Sequence, residues 1–148
     1  MRCLALSLMA VVSLIPVRPD RYPPPTPDIE RLQGTWEVIA FETPQGPLDA
    51  AALKNYPKLI IQGNVYRWST GGAGTLKLDP ARQPKGVDFG SLDGTGTIRE
   101  GIYEIEGNTF RDCIAPPGQP RPILFGTPAG SGYIMQVYRR ISTMPPAE

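Results

Sequence analysis

The sequence predicts an all-β fold, a small antiparallel up-and-down β-barrel of about eight strands. Three observations predict it. Apolar and polar residues alternate over short runs from residue 35 onward. Helical periodicity is almost absent after residue 30. Gly 16 and Pro 18 supply many turns, and so many short strands. Strands with one apolar face each must bury those faces together and protect their edges, and closure does both. A two-sheet sandwich is the competing solution. Tight sequential hairpins favour the barrel, because sandwiches use long Greek-key crossovers.

The elements follow in chain order. Residues 1–17, MRCLALSLMAVVSLIPV, place one arginine before an apolar run, the pattern of a signal peptide. The run is shorter than the roughly 20 apolar residues of a comfortable membrane span. An uncleaved N-terminal anchor is the alternative, and the membrane would then be met only through that N-terminus. The expected location is therefore outside the cytoplasm: periplasm, cell envelope or extracellular space. Residues 18–30 read as a proline-rich linker without a core of its own. The barrel domain is expected over 31–142, with a tail at 143–148.

Thr35 to Glu42 is the first strand. PLDAAALKNYP (47–57) is the best helical candidate, a turn or two capped by Asp49 and ended by Pro57. KLIIQ and VYRWS pair across Gly63-Asn64, a two-residue turn that permits positive φ. STGGAGT (69–75) reads as a flexible hairpin loop, since it lacks the Lys-Ser/Thr and following helix of a phosphate loop. GTLKLD puts Leu76 and Leu78 on one face, and GVDFG does the same for Val87 and Phe89. REGIYEIE and TFRDCIA form a second hairpin across Gly107-Asn108. APPGQPRP (115–122) is a stiff turn that fixes a long connection. YIMQVYRRI closes the chain in one of two registers. Either Ile134, Gln136, Tyr138 and Arg140 share the inner face, or Tyr133, Met135, Val137 and Arg139 do.

Composition excludes several functions. The formal net charge is +1, and basic and acidic residues balance beyond Ile29, so no clustered basic surface points to nucleic acid. His 0 rules out a Ser-His-Asp triad and a histidine zinc site. Cys3 and Cys113 cannot build a Cys₄ site. If the signal is removed, Cys3 goes with it, and Cys113 reads as a small buried apolar side chain. No catalytic residue, metal or cofactor is expected, and an enzyme would have to use Asp112 or a glutamate as its base. Glu100, Glu104 and Glu106 read as the solvated outer face of a strand, which turns Tyr103 and Ile105 inward.

LQGTWEV opens the first strand. Gly34 lets the chain turn without a Cβ clash, and Trp36 then plugs the end of the barrel. A cation from VYRR, either Arg139 or Arg140, packs over the indole. This Gly-x-Trp, with an arginine ending the last strand, resembles the lipocalin and calycin signature. LQGTWEV, LKLDPARQPKGVDF, GIYEIEGNTFRDCIAPPGQPRP and GSGYIMQVYRR together resemble the planctomycete-type lipocalin-like domain, a family of uncharacterised proteins, from Leu32 to Arg140. The resemblance implies a calycin-like barrel with Gly34, Trp36 and Arg140 as its structural signature, and favours Arg140 as the partner of Trp36. It implies no activity or ligand. Asp112 departs from the pattern, standing where an apolar residue is expected.

Trp68, Tyr103, Phe110 and Tyr138 are the large side chains that would line a cavity, with Asp112 as their polar member. Tyr66 belongs to the same aromatic supply. Asp112 alternates with Phe110 and Ile114, so it points inward and needs a partner, such as an inward Arg99. A barrel of this size is either packed or holds one small ligand. The expected function is an exported domain that binds a small apolar or amphipathic molecule in or at its mouth. The alternative is a packed barrel that meets a protein partner through loops 69–75 and 115–131.

Overall fold

The structure is a computed structural model, and it describes residues 25–144. The elements are α1 (Asp28–Arg31), β1 (Gly34–Thr43), β2 (Gly46–Pro47), α2 (Ala50–Lys54), β3 (Leu59–Gln62), β4 (Val65–Trp68), β5 (Ala73–Asp79), β6 (Gly86–Ser91), β7 (Ile98–Glu106), β8 (Thr109–Ile114) and β9 (Ile134–Ser142). From β3 onward each strand pairs with the next, β1 pairs with β3, and β9 returns to pair with β1. All pairings are antiparallel. The result is the closed eight-stranded barrel expected from the alternation, with β2 added as a short extension against the end of β1. The expected signal peptide, the expected linker as far as residue 24 and the tail beyond Met144 lie outside the described residues.

Two glycines permit close approaches that closure needs. Gly34 has φ +117°, and a Cβ there would run into the backbone of Ser142 on the last strand. At Gly74 the Tyr66 ring occupies the space a Cβ would take, 2.5 Å from it.

One end of the barrel is sealed by charge as well as by apolar bulk. Trp36 is fully buried and donates its indole N–H to the Leu32 carbonyl at 2.8 Å. The Arg140 guanidinium lies 4.1 Å over the indole. It donates to the carbonyls of Gln33 and Arg31, and its Nε reaches Asn108 Oδ1 at 3.2 Å. Arg140 stands opposite Trp36 in the β1–β9 ladder, so Ile134, Gln136, Tyr138 and Arg140 are the inward set, while Arg139 turns out to Glu37 at 2.7 Å. α1 lies across this end. Asp28 accepts from Lys85 Nζ at 2.7 Å, the Tyr103 hydroxyl at 2.8 Å and Arg31 Nη1 at 3.0 Å. Residues 28–30, expected in the linker, therefore join the barrel, because the Asp28 carboxylate has three donors waiting on it.

On the outside of the sheet, Ile102 and Cys113 pair across β7 and β8, both buried. They are covered by the connection 115–133, which Arg121 pins down. Its Nη1 donates to the carbonyls of Gly101 (2.6 Å) and Val87 (3.1 Å), and its Nη2 pairs with Asp88 (2.7 Å) and Glu100 (3.3 Å). The Cys113 thiol donates to the Gly126 carbonyl at 3.3 Å, and burial raises its pKa. Glu104 pairs with Arg111 at 2.7 Å, and Glu106 is exposed. Segment 69–75 is a turn only as far as Gly72, since Ala73 already belongs to β5.

Truncating Trp36 to Ala is expected to cost about 3–5 kcal/mol, the usual loss for a buried aromatic. Arg140→Met is expected to cost about 1–3 kcal/mol, because two carbonyls lose their donor. Glu106→Gln should stay within about 0.5 kcal/mol of the parent. Equilibrium urea unfolding followed by tryptophan fluorescence measures all three.

Candidate functional site

The bore changes character along its length. Toward α1 it is packed with rings: Phe110 stacks on Tyr138 (5.0 Å), meets Trp36 edge-on (5.9 Å) and lies 6.4 Å from Tyr103. Tyr103, Phe110 and Tyr138 are each 1% exposed or less. The sequence suggests these three as a cavity lining; the structure corrects this, because rings of that volume on the adjacent strands β7, β8 and β9 consume the bore and leave no surface to a ligand.

Toward the other end the inward residues turn polar. β7 contributes Arg99, β8 Asp112 and β9 Gln136, while β4 contributes Tyr66 and Trp68 and β1 contributes Phe41. Asp112 is fully buried. The Tyr138 hydroxyl donates to its Oδ2 at 3.2 Å, and its Oδ1 has no hydrogen-bond partner. The expected ion pair with Arg99 does not form. Arg99 is anchored through Nε to the Ala115 carbonyl at 3.4 Å, and its charge acts on Asp112 without direct contact. Burial pushes the Asp112 carboxyl up to about 8, against the Tyr138 hydrogen bond, the Arg99 charge and the nearby Gln136 backbone N–H. Asp112 is thus mainly a neutral acid at pH 7. Burial and the neighbouring Asp112 raise the Tyr138 phenol well above its ordinary value.

A cover lies over this polar end. Asp49 caps α2 by accepting from the Ala52 N–H at 2.8 Å, and the helix stops before Pro57, as the sequence suggests. The short connection that follows sets Tyr56 between Phe41 (5.4 Å) and Trp68 (6.1 Å, edge-on). Burial and the charge of Asp112 raise the Tyr56 phenol, while Arg99 lowers it. Tyr66 packs edge-on against Phe89 at 5.3 Å. β1 pairs with β3 only from Gly34 to Trp36, and the gap above that point is filled by α2. A cleft of about 350 Å³ remains there, lined by Glu37, Val38, Leu53, Lys54, Tyr56 and Lys58 among others.

Of the aromatic residues the sequence suggested, Tyr66 and Trp68 combine partial exposure with a place in this collar. Tyr56 and Phe41 were missed. Tyr56 sits on a connection rather than a strand, so alternation cannot find it; an aromatic beside the helix-ending Pro57 was its only mark. A larger groove of about 670 Å³ lies between α1 and β5. Its one acid, Asp28, is already saturated with donors, so no buried polar group there awaits a ligand. Among the described residues no group of His, Cys, Asp and Glu could hold a metal ion. Comparison of the chain with known protein families, curated proteins and solved structures returns no match.

The Asp112 carboxyl ties stability to pH. Its folded pKa of about 8 lies above the ordinary 3.8. Between those values the native state holds a proton that the unfolded chain has released. The contribution of Asp112 therefore falls by up to about 1.4 kcal/mol per pH unit across that window and flattens above it. Asp112→Asn removes this dependence. The stability of the Asn variant relative to the parent should thus rise steadily from acid to mildly basic pH, measured by urea unfolding along a pH series. A difference that does not change with pH would mean that Asp112 is ionised in the folded protein.

Proposed function

We propose that the chain is an exported binding module whose barrel takes one small molecule at its open end, beneath Tyr56. The observation that carries this reading is the fully buried Asp112 Oδ1 without a partner under a collar of rings. Such a group costs about 1–3 kcal/mol, and an interior serving stability alone would hold an apolar residue there. The ligand satisfies that oxygen with its polar end and lays its apolar body against Phe41, Tyr66 and Trp68. The barrel size supports the reading, as does the calycin resemblance of LQGTWEV and VYRR. The apolar run at residues 1–17 supports export. With no histidine for acid–base work, binding is a better account than catalysis.

Asp112 has no exposed surface, so access needs the cover to move. α2 contains no buried residue, and the cleft beside it leaves room for Tyr56 to swing aside. Segments with few buried apolar contacts open at low free-energy cost.

A second reading rests on a different observation. Ile123 and Leu124 are 77% and 75% exposed, beside a groove of about 460 Å³ that includes Phe125 and Tyr133. The connection carrying them would then dock a protein partner.

Native mass spectrometry of the protein equilibrated with cell-envelope extract separates the two. The small-molecule reading expects a bound mass that is lost in Trp68→Ala and kept in the double variant Ile123→Ser/Leu124→Ser. A protein partner lost in the double variant, with no small mass in either, would replace it with the docking reading.

A further inference from the structure

We infer that the site under Tyr56 takes a compact carboxylate, an aromatic or short branched monoanion, held by Arg99, Tyr56 and Asp112. This rests on the binding-site reading and names the ligand class for it.

The argument begins with an inventory of hydrogen-bonding groups. Arg99 spends only its Nε, on Ala115, and its two Nη groups have no partner among the described residues. The Tyr56 hydroxyl likewise makes no hydrogen bond among them. With Tyr138 donating to Oδ2 of Asp112, the protonated carboxyl has Oδ1, the oxygen without a partner, from which to donate. The Nη groups of Arg99 can only donate, while the Tyr56 hydroxyl and the inward Gln136 amide opposite Asp112 can donate as well as accept, so a pair of acceptor oxygens on one planar group is what they jointly fit best.

Charge points the same way. With Asp112 neutral, the interior of this end carries the single positive charge of Arg99. Two further cations, Lys54 and Lys58, line the cleft beside Tyr56 without an ion pair among the described residues, whereas its one acid, Glu37, is held by Arg139. A carboxylate would be drawn through that cleft and would neutralise the guanidinium. An amine would have to approach three cations and strip the proton from Asp112. An uncharged ligand would leave the guanidinium without a counter-charge.

Depth sets the size. Below Asp112 the bore is filled by Tyr103, Phe110, Tyr138 and Trp36, all 1% exposed or less. The ligand body therefore has only the level of Phe41, Tyr56, Tyr66 and Trp68. A flat ring fits against those faces, while a long acyl chain finds no bore to enter.

Isothermal titration of the full chain with 2-naphthoate, 2-naphthamide, 2-naphthylmethylamine and palmitate tests this. Below about pH 7, naphthoate should bind at least about tenfold more tightly than the amide, and the amine should not bind. Arg99→Gln should bring the carboxylate-to-amide ratio to about one, with the larger loss on the carboxylate, and Arg99→Lys should keep most of the preference. Near-ultraviolet circular dichroism shows that both variants keep the fold. Above about pH 8 naphthoate affinity should fall, by up to about tenfold per unit, as Asp112 ionises. The groups facing Asp112 are Arg99 and Tyr103 on β7, Gln136 and Tyr138 on β9 and Tyr56 on the cover, and among these Arg99 alone carries a charge. Amide or amine binding as tight as naphthoate overturns the ligand class while leaving the site itself standing. Palmitate binding more tightly than naphthoate overturns the size limit. If no probe binds, the mass captured from envelope extract decides: a carboxylate upholds the class, a neutral or cationic molecule overturns it, and no captured mass overturns both the class and the binding-site reading.

Discussion

Closure of β1 on β9 is the constraint from which the remaining structure follows. An open sheet of this length would expose two strand edges and one apolar face. Pairing the first strand with the last removes the edges, but it requires two backbones to approach where the chain enters the sheet. Gly34 makes that approach sterically feasible, and Trp36 fills the end of the cylinder so created. Arg140 then serves two purposes: it lies over the indole, and it donates to the carbonyls of the segment that crosses beneath. The sequence-distant ends are thereby tied through one side chain at the closed end, with α1 laid over it and held by Asp28.

With that end sealed, the interior divides. Aromatic side chains on β7, β8 and β9 pack the lower bore so completely that it has no room for anything else. The upper bore breaks the rules of a stable core. It carries a carboxyl with an oxygen left unpaired, a guanidinium anchored at one nitrogen, and a phenol on the short connection after α2. A protein under selection for stability alone would replace these groups, the fully buried Asp112 above all, since its unpaired oxygen costs more than it returns, whereas Arg99 and Tyr56 are half-buried. Their concentration at one end, next to the gap that β1 leaves when it parts from β3, is what separates a site from scattered imperfection. The outer face is organised quite differently: a long connection is fastened over Ile102 and Cys113 by Arg121, whose guanidinium meets two carbonyls and two carboxylates.

Alternation made the strands legible. Leu76 with Leu78, Val87 with Phe89, and Tyr103 with Ile105 declare their inner faces by period two, and the turns between them carry glycine or asparagine. The short helix was equally plain, since Asp49 and Pro57 mark its ends by local chemistry. β2 was not, because a two-residue pairing has no periodicity to detect. The start of the barrel at Asp28 was hidden by the proline-rich context around it, and only three donors from distant positions show why those residues are held.

For the site, the sequence revealed that Asp112 points inward, because its neighbours in period two are Phe110 and Ile114. It could not reveal whether that acid has a partner. Composition and pattern determined a closed antiparallel barrel, the plug at its end and the absence of histidine chemistry, since these depend on residue type and near-neighbour spacing. The partner of Asp112, the filling of the bore by Tyr103, Phe110 and Tyr138, and the placing of Tyr56 over the mouth were decided only by the tertiary structure. Each depends on distances between residues far apart in the chain, set by barrel closure rather than by any local sequence signal.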